Sequence, residues 1–265
     1  MQWILQQFED TERLASALDK LGIGYSMHKV IPFVGALDPE PAIANRDAVV
    51  LFGSYTLWRY AKAHHLTPGV FKIRPFVHEA AWHPYLLNGA GALFITLKDI
   101  PNTLPVDGPD LFFRPVSDSK EVAGSVKSRA EIIAIAEKVL SIDPSEIPGG
   151  SLEHDTQLML TQPVSIQKEW RLWVVDNKIV TYSLYKEGRR VVYRPEIDDD
   201  ALAYAQHLVD ANRGYSRAFV IDICRTSDGL KMIETNCINA AGFYAADLDK
   251  LAYAIDTLNG IWWRG

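Results

Sequence analysis

Apolar positions recur first at helical spacing: Leu14, Ala17, Leu18 and Leu21 share one face of a helix that Asp10 could cap, and Gly22 stands where a left-handed terminus belongs. The run Ala48 to Phe52 is continuously apolar, the pattern of a strand covered on both faces in a parallel sheet, and Gly53-Ser54 then leads into helical spacing through Tyr60 and Lys62. This predicts an α/β lobe at the amino end. Pro101, Pro105, Gly108 and Pro109 then punctuate a linker before the strand-like Leu111-Phe112-Phe113. Ser128 followed by Glu131 has capping-box spacing for a helix through Ile132, Ile133, Ile135 and Leu140.

From Leu158 onward the pattern becomes extended. LMLTQPV, SIQKEWRLWVV and IVTYSLYK read as strands, the last two joined by a turn at Asp176-Asn177-Lys178. A helix begins among Asp198, Asp199 and Asp200, whose charges suit a helix amino terminus and read first as structural. AFVIDIC, a TSDG turn and LKMIETN form a second hairpin, and a last helix from about Ala246 to Leu258 precedes Trp262-Trp263. The length of 265 residues suits two or three lobes with a cleft between them, rather than one core.

Composition narrows the function classes. Lys plus Arg total 27 against 33 Asp plus Glu, a net charge of -6, so binding to nucleic acid by charge alone is not expected. Two cysteines, Cys224 and Cys237, supply neither a disulfide framework nor a zinc site, and both read as packing residues. The amino terminus lacks the features of a signal peptide and no apolar run is long enough to span a bilayer, so the expected location is the cytoplasm, with no membrane partner. The histidines His64, His65, His78 and His83 fit no common zinc spacing.

The second hairpin carries the strongest chemical signal. If Thr226 and Leu230 close its loop, Asp222 lies opposite Glu234, and Asn236 follows on the same face. Two carboxylates and an amide oxygen among Val220, Ile221, Ile223 and Ile233 suit a hard cation such as magnesium, the alternative being a solvated polar face. A cationic group comes earlier, with Arg114 ending a strand and Lys120 in a loop with Ser117, Ser119, Gly124 and Ser125. It can meet polyphosphate or be an ordinary surface loop. In QKEWRLWVV, Glu169 and Arg171 share a strand face, either as a cross-strand ion pair or as contacts to ribose and to phosphate or a developing oxyanion.

In order and spacing these residues resemble the ATP-grasp superfamily over about residues 110 to 245: Arg114 and Lys120, the segment LMLTQPV, Glu-x-Arg in EWR, and the closing Asp…Glu-x-Asn. The cationic region looks most like the clade named for two arginines and a lysine, whose members are often carried by phages. The resemblance implies a fold of mixed α/β and α+β class: a preceding α/β lobe (residues 1–105), then two α+β subdomains (106–162 and 163–265) holding ATP. It implies that Arg114 and Lys120 contact phosphates, the backbone around Gln162 and Val164 meets adenine, and Glu169 binds ribose. Asp222, Glu234 and Asn236 would hold magnesium. Arg171, counted with Arg114 and Lys120 as catalytic, would stabilise the transferring phosphoryl group or the substrate carboxylate, and Lys186 would be a further phosphate or substrate contact. One position departs from the pattern, since Arg114 stands where a lysine is usual, and Pro163 removes an amide donor at the hinge.

The activity implied is magnesium-dependent ligation of a carboxylate to an amine through an acylphosphate, with a small molecule or peptide as carboxylate substrate and a separate amine acceptor. The loop from Val116 to Lys127 is the candidate lid. A phosphotransferase using the same ATP site, and a non-catalytic nucleotide-binding module, are the alternatives. The protein is expected as a monomer or homodimer.

Overall fold

The computed structural model describes residues 1–31, 35–87, 89, 91–117, 122–148 and 150–259. The chain divides into two compact units, one of residues 1–74 with 166–265 and one of residues 75–165.

The larger unit opens with β1 (Gln2–Gln6), α1 (Glu9–Leu21), β2 (Tyr25–Ile31), β3 (Ala36–Asp38), β4 (Val49–Phe52), α2 (Thr56–Ala63) and β5 (Pro68–Gly69). The strands form one sheet in the order β3-β2-β1-β4-β5, with β1 parallel to both β2 and β4. All four residues of β4 are buried, as a covered parallel strand requires. Helix α1 ends at Gly22 with φ of 68°, the expected left-handed position. It starts one residue before Asp10, with Phe8 as its flanking residue and the Thr11 hydroxyl accepting the Phe8 amide at 3.3 Å, so Asp10 lies inside the first turn and does not cap it. Asp10 instead adds acidic charge to the first turn, where the helix dipole favours it.

The smaller unit contains β6 (Leu93–Thr96), α3 (Ile100–Thr103), β7 (Leu111–Pro115), β8 (Ser125–Lys127), α4 (Arg129–Leu140) and β9 (Gln157–Thr161). Its sheet runs β6-β9-β7-β8, antiparallel throughout. Ile95, Ile100, Phe113, Ile132, Leu158 and Leu160 make its core. The capping box of α4 is present, with the Ser128 amide donating to Glu131 Oε2 at 2.8 Å and the Glu131 amide donating to Ser128 Oγ at 3.3 Å. Strand β6, which precedes the linker prolines, pairs with β9 and belongs to this unit.

The chain then returns to the larger unit through β10 (Lys168–Val175), β11 (Lys178–Glu187), β12 (Arg190–Arg194), α5 (Asp199–Ala211), β13 (Ala218–Thr226), β14 (Gly229–Asn236) and α6 (Leu248–Asn259). These strands form an antiparallel sheet in the order β12-β11-β10-β13-β14. Asp176 and Asn177, at φ of 49° and 60°, make the tight β10–β11 turn. Asp198 accepts from Lys168 at 2.9 Å and Arg225 at 3.1 Å, and Asp200 meets Arg225 at 2.7 Å, so these aspartates tie α5 to the sheet.

One core joins the amino-terminal lobe to this second sheet: Trp3, Leu14, Leu18 and Phe52 cluster with Trp173, Val220, Leu251 and Ile255. Asn239 stitches the same seam, donating to Leu51 O at 2.7 Å and accepting from the Phe71 amide at 2.8 Å. Among the described residues no helix is long and apolar enough to cross a membrane.

Candidate functional site

Strand registry brings the charged residues together. Arg171 on β10 is paired with Asp222 on β13, and Asp222 with Glu234 on β14. The expected facing of Asp222 and Glu234 is therefore present, reached by a different route. The turn is closed by Thr226 and Gly229, one residue tighter than Thr226 with Leu230, and an irregularity between Asp222 and Ile223 inserts Ile233 and restores the offset. Asn236 follows two residues after Glu234 and so points to the same face.

Arg171 and Asp222 form a two-pronged ion pair, Nε to Oδ1 at 2.9 Å and Nη2 to Oδ2 at 2.8 Å, with 7% and 1% of each residue exposed. Asn236 Nδ2 donates to Glu234 Oε1 at 3.1 Å and lies 3.4 Å from Asp222 Oδ2. Buried Glu169 accepts from the Tyr185 hydroxyl at 2.7 Å on Oε2, and Lys186 Nζ stands 2.7 Å from Oε1. Three carboxylates against Arg171 and Lys186 leave the cluster one negative charge in excess. Burial, opposed by Arg171 and reinforced by Glu234 and Glu169, pushes the Asp222 carboxyl up to about 6. Burial alone would discharge Arg171, but the charge of Asp222 outweighs it and holds the guanidinium charged.

A tyrosine cluster borders this charge and was not foreseen from the sequence. The Tyr185 and Tyr244 rings stack at 5.3 Å between centroids, and Tyr193 stacks on Tyr244 at 5.0 Å and 9°. Arg171 Cζ lies 4.7 Å from the Tyr244 ring centroid and 5.8 Å from that of Tyr185. Tyr185 reaches the charged face because of a bulge: Trp170 pairs with Leu184 and Glu169 with Lys186, leaving Tyr185 as the inserted residue. Strict alternation of strand faces hides such a residue. Tyr244 has φ of 47°, a region costing a tyrosine about 1–3 kcal/mol and tolerated only where the surroundings hold it. Burial raises the phenols of Tyr185 and Tyr244, so both rings stay neutral.

The remaining expected site residues belong to the smaller unit. Arg114 lies on β7 opposite Met159, its guanidinium 5.2 Å over the Phe76 ring. Strand β9 ends at Thr161, so Gln162 and Val164 sit in the extended connection that follows, both exposed. Lys120 and part of the candidate lid lie outside the described residues. Among the described residues no three His, Cys, Asp or Glu side chains cluster as a metal site, so a cation on Asp222 and Glu234 would need the amide oxygen of Asn236 as third protein ligand. The donor chemistry fits magnesium: hard oxygen ligands, two of them anionic, in a cluster with excess negative charge. With the Asn236 amide turned over, Oδ1 would take the place from which Nδ2 now faces both carboxylates.

A sheet face with a buried carboxylate–guanidinium pair, a second buried carboxylate and a Glu-x-Asn strand end defines a protein built to handle concentrated charge. The chain belongs to the ATP-grasp family: the model of the ATP-grasp domain, third family of the clade named for two arginines and a lysine, matches residues 62–255. Solved structures of similar fold include a RimK domain ATP-grasp protein from Sphaerobacter thermophilus DSM 20745, at TM-score 0.59 and 15% identity, covering 98% of this chain and 97% of that one. D-alanine–D-alanine ligase from Bacillus anthracis complexed with ATP aligns at TM-score 0.57 and 10% identity, covering 98% and 97%. The ATP-grasp ligase PsnB complexed with a minimal precursor aligns at TM-score 0.54 and 14% identity, covering 97% and 98%. No curated protein matches the chain in sequence. The fold is the ATP-grasp fold, of mixed α/β and α+β class, as the sequence motifs implied.

Proposed function

We propose that the protein is an ATP-dependent carboxylate–amine ligase that forms an amide or peptide bond through an acylphosphate, with magnesium as cofactor. The observation that carries this reading is the buried Arg171–Asp222 pair beside Glu234 and Asn236, in a chain of the ATP-grasp family. Desolvating two charges costs several kcal/mol per ion, and apolar residues would stabilise the sheet as well or better, so such a pair marks a site of function.

In this reading Asp222, Glu234 and Asn236 hold the metal, which when bound would offset phosphate charge. Arg171 keeps its charge at any physiological pH and uses Nε and Nη2 on Asp222, which leaves Nη1 for a phosphate or acylphosphate oxygen. Glu169, although engaged by Tyr185 and Lys186, retains lone pairs on both oxygens and can accept ribose hydroxyls. Lys186 adds a mobile cation beside it. By the same family resemblance Arg114 and Lys120 are further phosphate contacts, and the backbone around Gln162 and Val164 supplies the adenine contacts. The acceptor amine attacks the acyl carbon and expels phosphate, so no protein nucleophile is needed. Two proteins of similar fold, a D-alanine–D-alanine ligase and a ligase complexed with a precursor, support amino-acid or peptide substrates.

The test is ATP turnover with magnesium over a panel of paired carboxylates and amines, reading ADP, free phosphate and amide together. Stoichiometric ADP, phosphate and amide supports the ligase. A stable phosphorylated product without amide would replace it with the phosphotransferase reading.

A further inference from the structure

We infer that Tyr244 is a positioning residue for Arg171: with Tyr185 and Tyr193 it holds the guanidinium in the orientation that meets the terminal phosphate of the nucleotide, an inference that rests on the ligase reading above. Asp222 grips one edge of the guanidinium through Nε and Nη2, which fixes the plane's edge and leaves it able to rock about that edge. Arg171 Cζ stands over the Tyr244 ring, 4.7 Å from its centroid, and this contact opposes that motion. Tyr244 is in turn held by Tyr193 at 5.0 Å and nearly parallel, and by Tyr185 at 5.3 Å, itself anchored through its hydroxyl to Glu169.

Two independent features point to the ring as the reason for a tyrosine at this position. The backbone at Tyr244 is left-handed, a conformation suited to glycine or asparagine, so the residue is there in spite of its main chain. Tyr193, the outer member of the cluster, is 57% exposed on edge strand β12, so its ring is not there to fill a core, and its inner contact is Tyr244. The cluster thus carries a mechanical link from the sheet edge to the buried guanidinium of Arg171.

The consequence is selective. A loosened Arg171 should weaken binding of a nucleotide that has a terminal third phosphate and leave the diphosphate alone. The experiment is calorimetric titration of β,γ-imido-ATP and ADP, each with magnesium, into wild type, Tyr244→Leu, Tyr244→Phe and Tyr193→Ala. The expected result is about tenfold weaker binding of the triphosphate analogue by Tyr244→Leu, within the range between an exposed and a desolvated cation–ring contact, with ADP affinity unchanged. Tyr244→Phe keeps the ring and binds both as wild type does. Tyr193→Ala, whose site is exposed and whose folding is safe, shows a smaller loss of the same selectivity. If Tyr244→Leu and Tyr193→Ala lose both nucleotides equally, or neither, the positioning role is overturned while the ligase reading stands. A wild type that binds neither nucleotide overturns both.

Discussion

In the amino-terminal sheet the central strands β1 and β4 bury Trp3, Ile4, Leu5, Val49, Val50, Leu51 and Phe52, every one at 0% exposure. In the carboxyl-terminal sheet the central strands β10 and β13 bury Trp173, Leu172, Val220 and Ile221 to the same degree, and with them Arg171 and Asp222. The two sheets share a core and are held by the same apolar contacts, so stability does not explain the charges in the second. A buried carboxylate and guanidinium need mutual pairing merely to break even, so the proposed function, rather than stability, gives the pair its reason.

That contrast can be broken most severely at Arg171. Arg171→Leu leaves Asp222 buried without its partner and should cost about 3–5 kcal/mol of stability in urea unfolding. Arg171→Leu/Asp222→Leu should regain most of that loss, because the desolvated pair disappears as a whole, and should show no response to nucleotide. If the double variant were no more stable than the single one, the pair would be a structural support after all. A milder break lies in the seam between the sheets: Asn239→Ala orphans the Leu51 carbonyl and the Phe71 amide and should cost about 1–3 kcal/mol, with nucleotide response retained in the folded protein. The smallest effect concerns Cys224, next along the face from Asp222. Burial pushes its thiol up to about 12, so the folded protein holds it protonated and unreactive. Labelling at pH 8 should proceed only on unfolding, and prompt labelling of the native protein would show that this face is open. Above the ordinary thiol range the unfolded chain ionises Cys224 and the folded one does not, so stability attributable to this group falls as pH rises from about 8.5 toward 12.

Much of this was legible in the sequence, for definite reasons. The continuous apolar run at β4, the Ser128–Glu131 cap, the tight turn at Asp176-Asn177 and Gly22 are local signals, and each element formed where its signal stood. Glu169 with Arg171, and Asp222 with Glu234 and Asn236, were readable as two same-face groups because alternation holds between those neighbours. What escaped was non-local or irregular. A bulge at Tyr185 breaks the alternation, Tyr244 lies in a connecting segment without periodicity, and the last hairpin closes one residue tighter than its pattern predicts, an offset that the insertion of Ile233 restores. The attachment of the amino-terminal lobe to residues 166–259 through Trp3, Phe52, Trp173 and Asn239 involves separations of well over 100 residues, which no window of sequence reveals.

The most direct test of the central claim, that the charged face of the second sheet is a magnesium–nucleotide site, is a thermal-shift titration of wild type and Glu234→Gln with ATP, with and without magnesium. At ATP about a hundredfold above its dissociation constant the account predicts a rise of about 5 °C or more for wild type that requires magnesium, and its loss in the near-isosteric variant. An equal shift in both proteins, a shift indifferent to magnesium, or none in a well-folded wild type would contradict it.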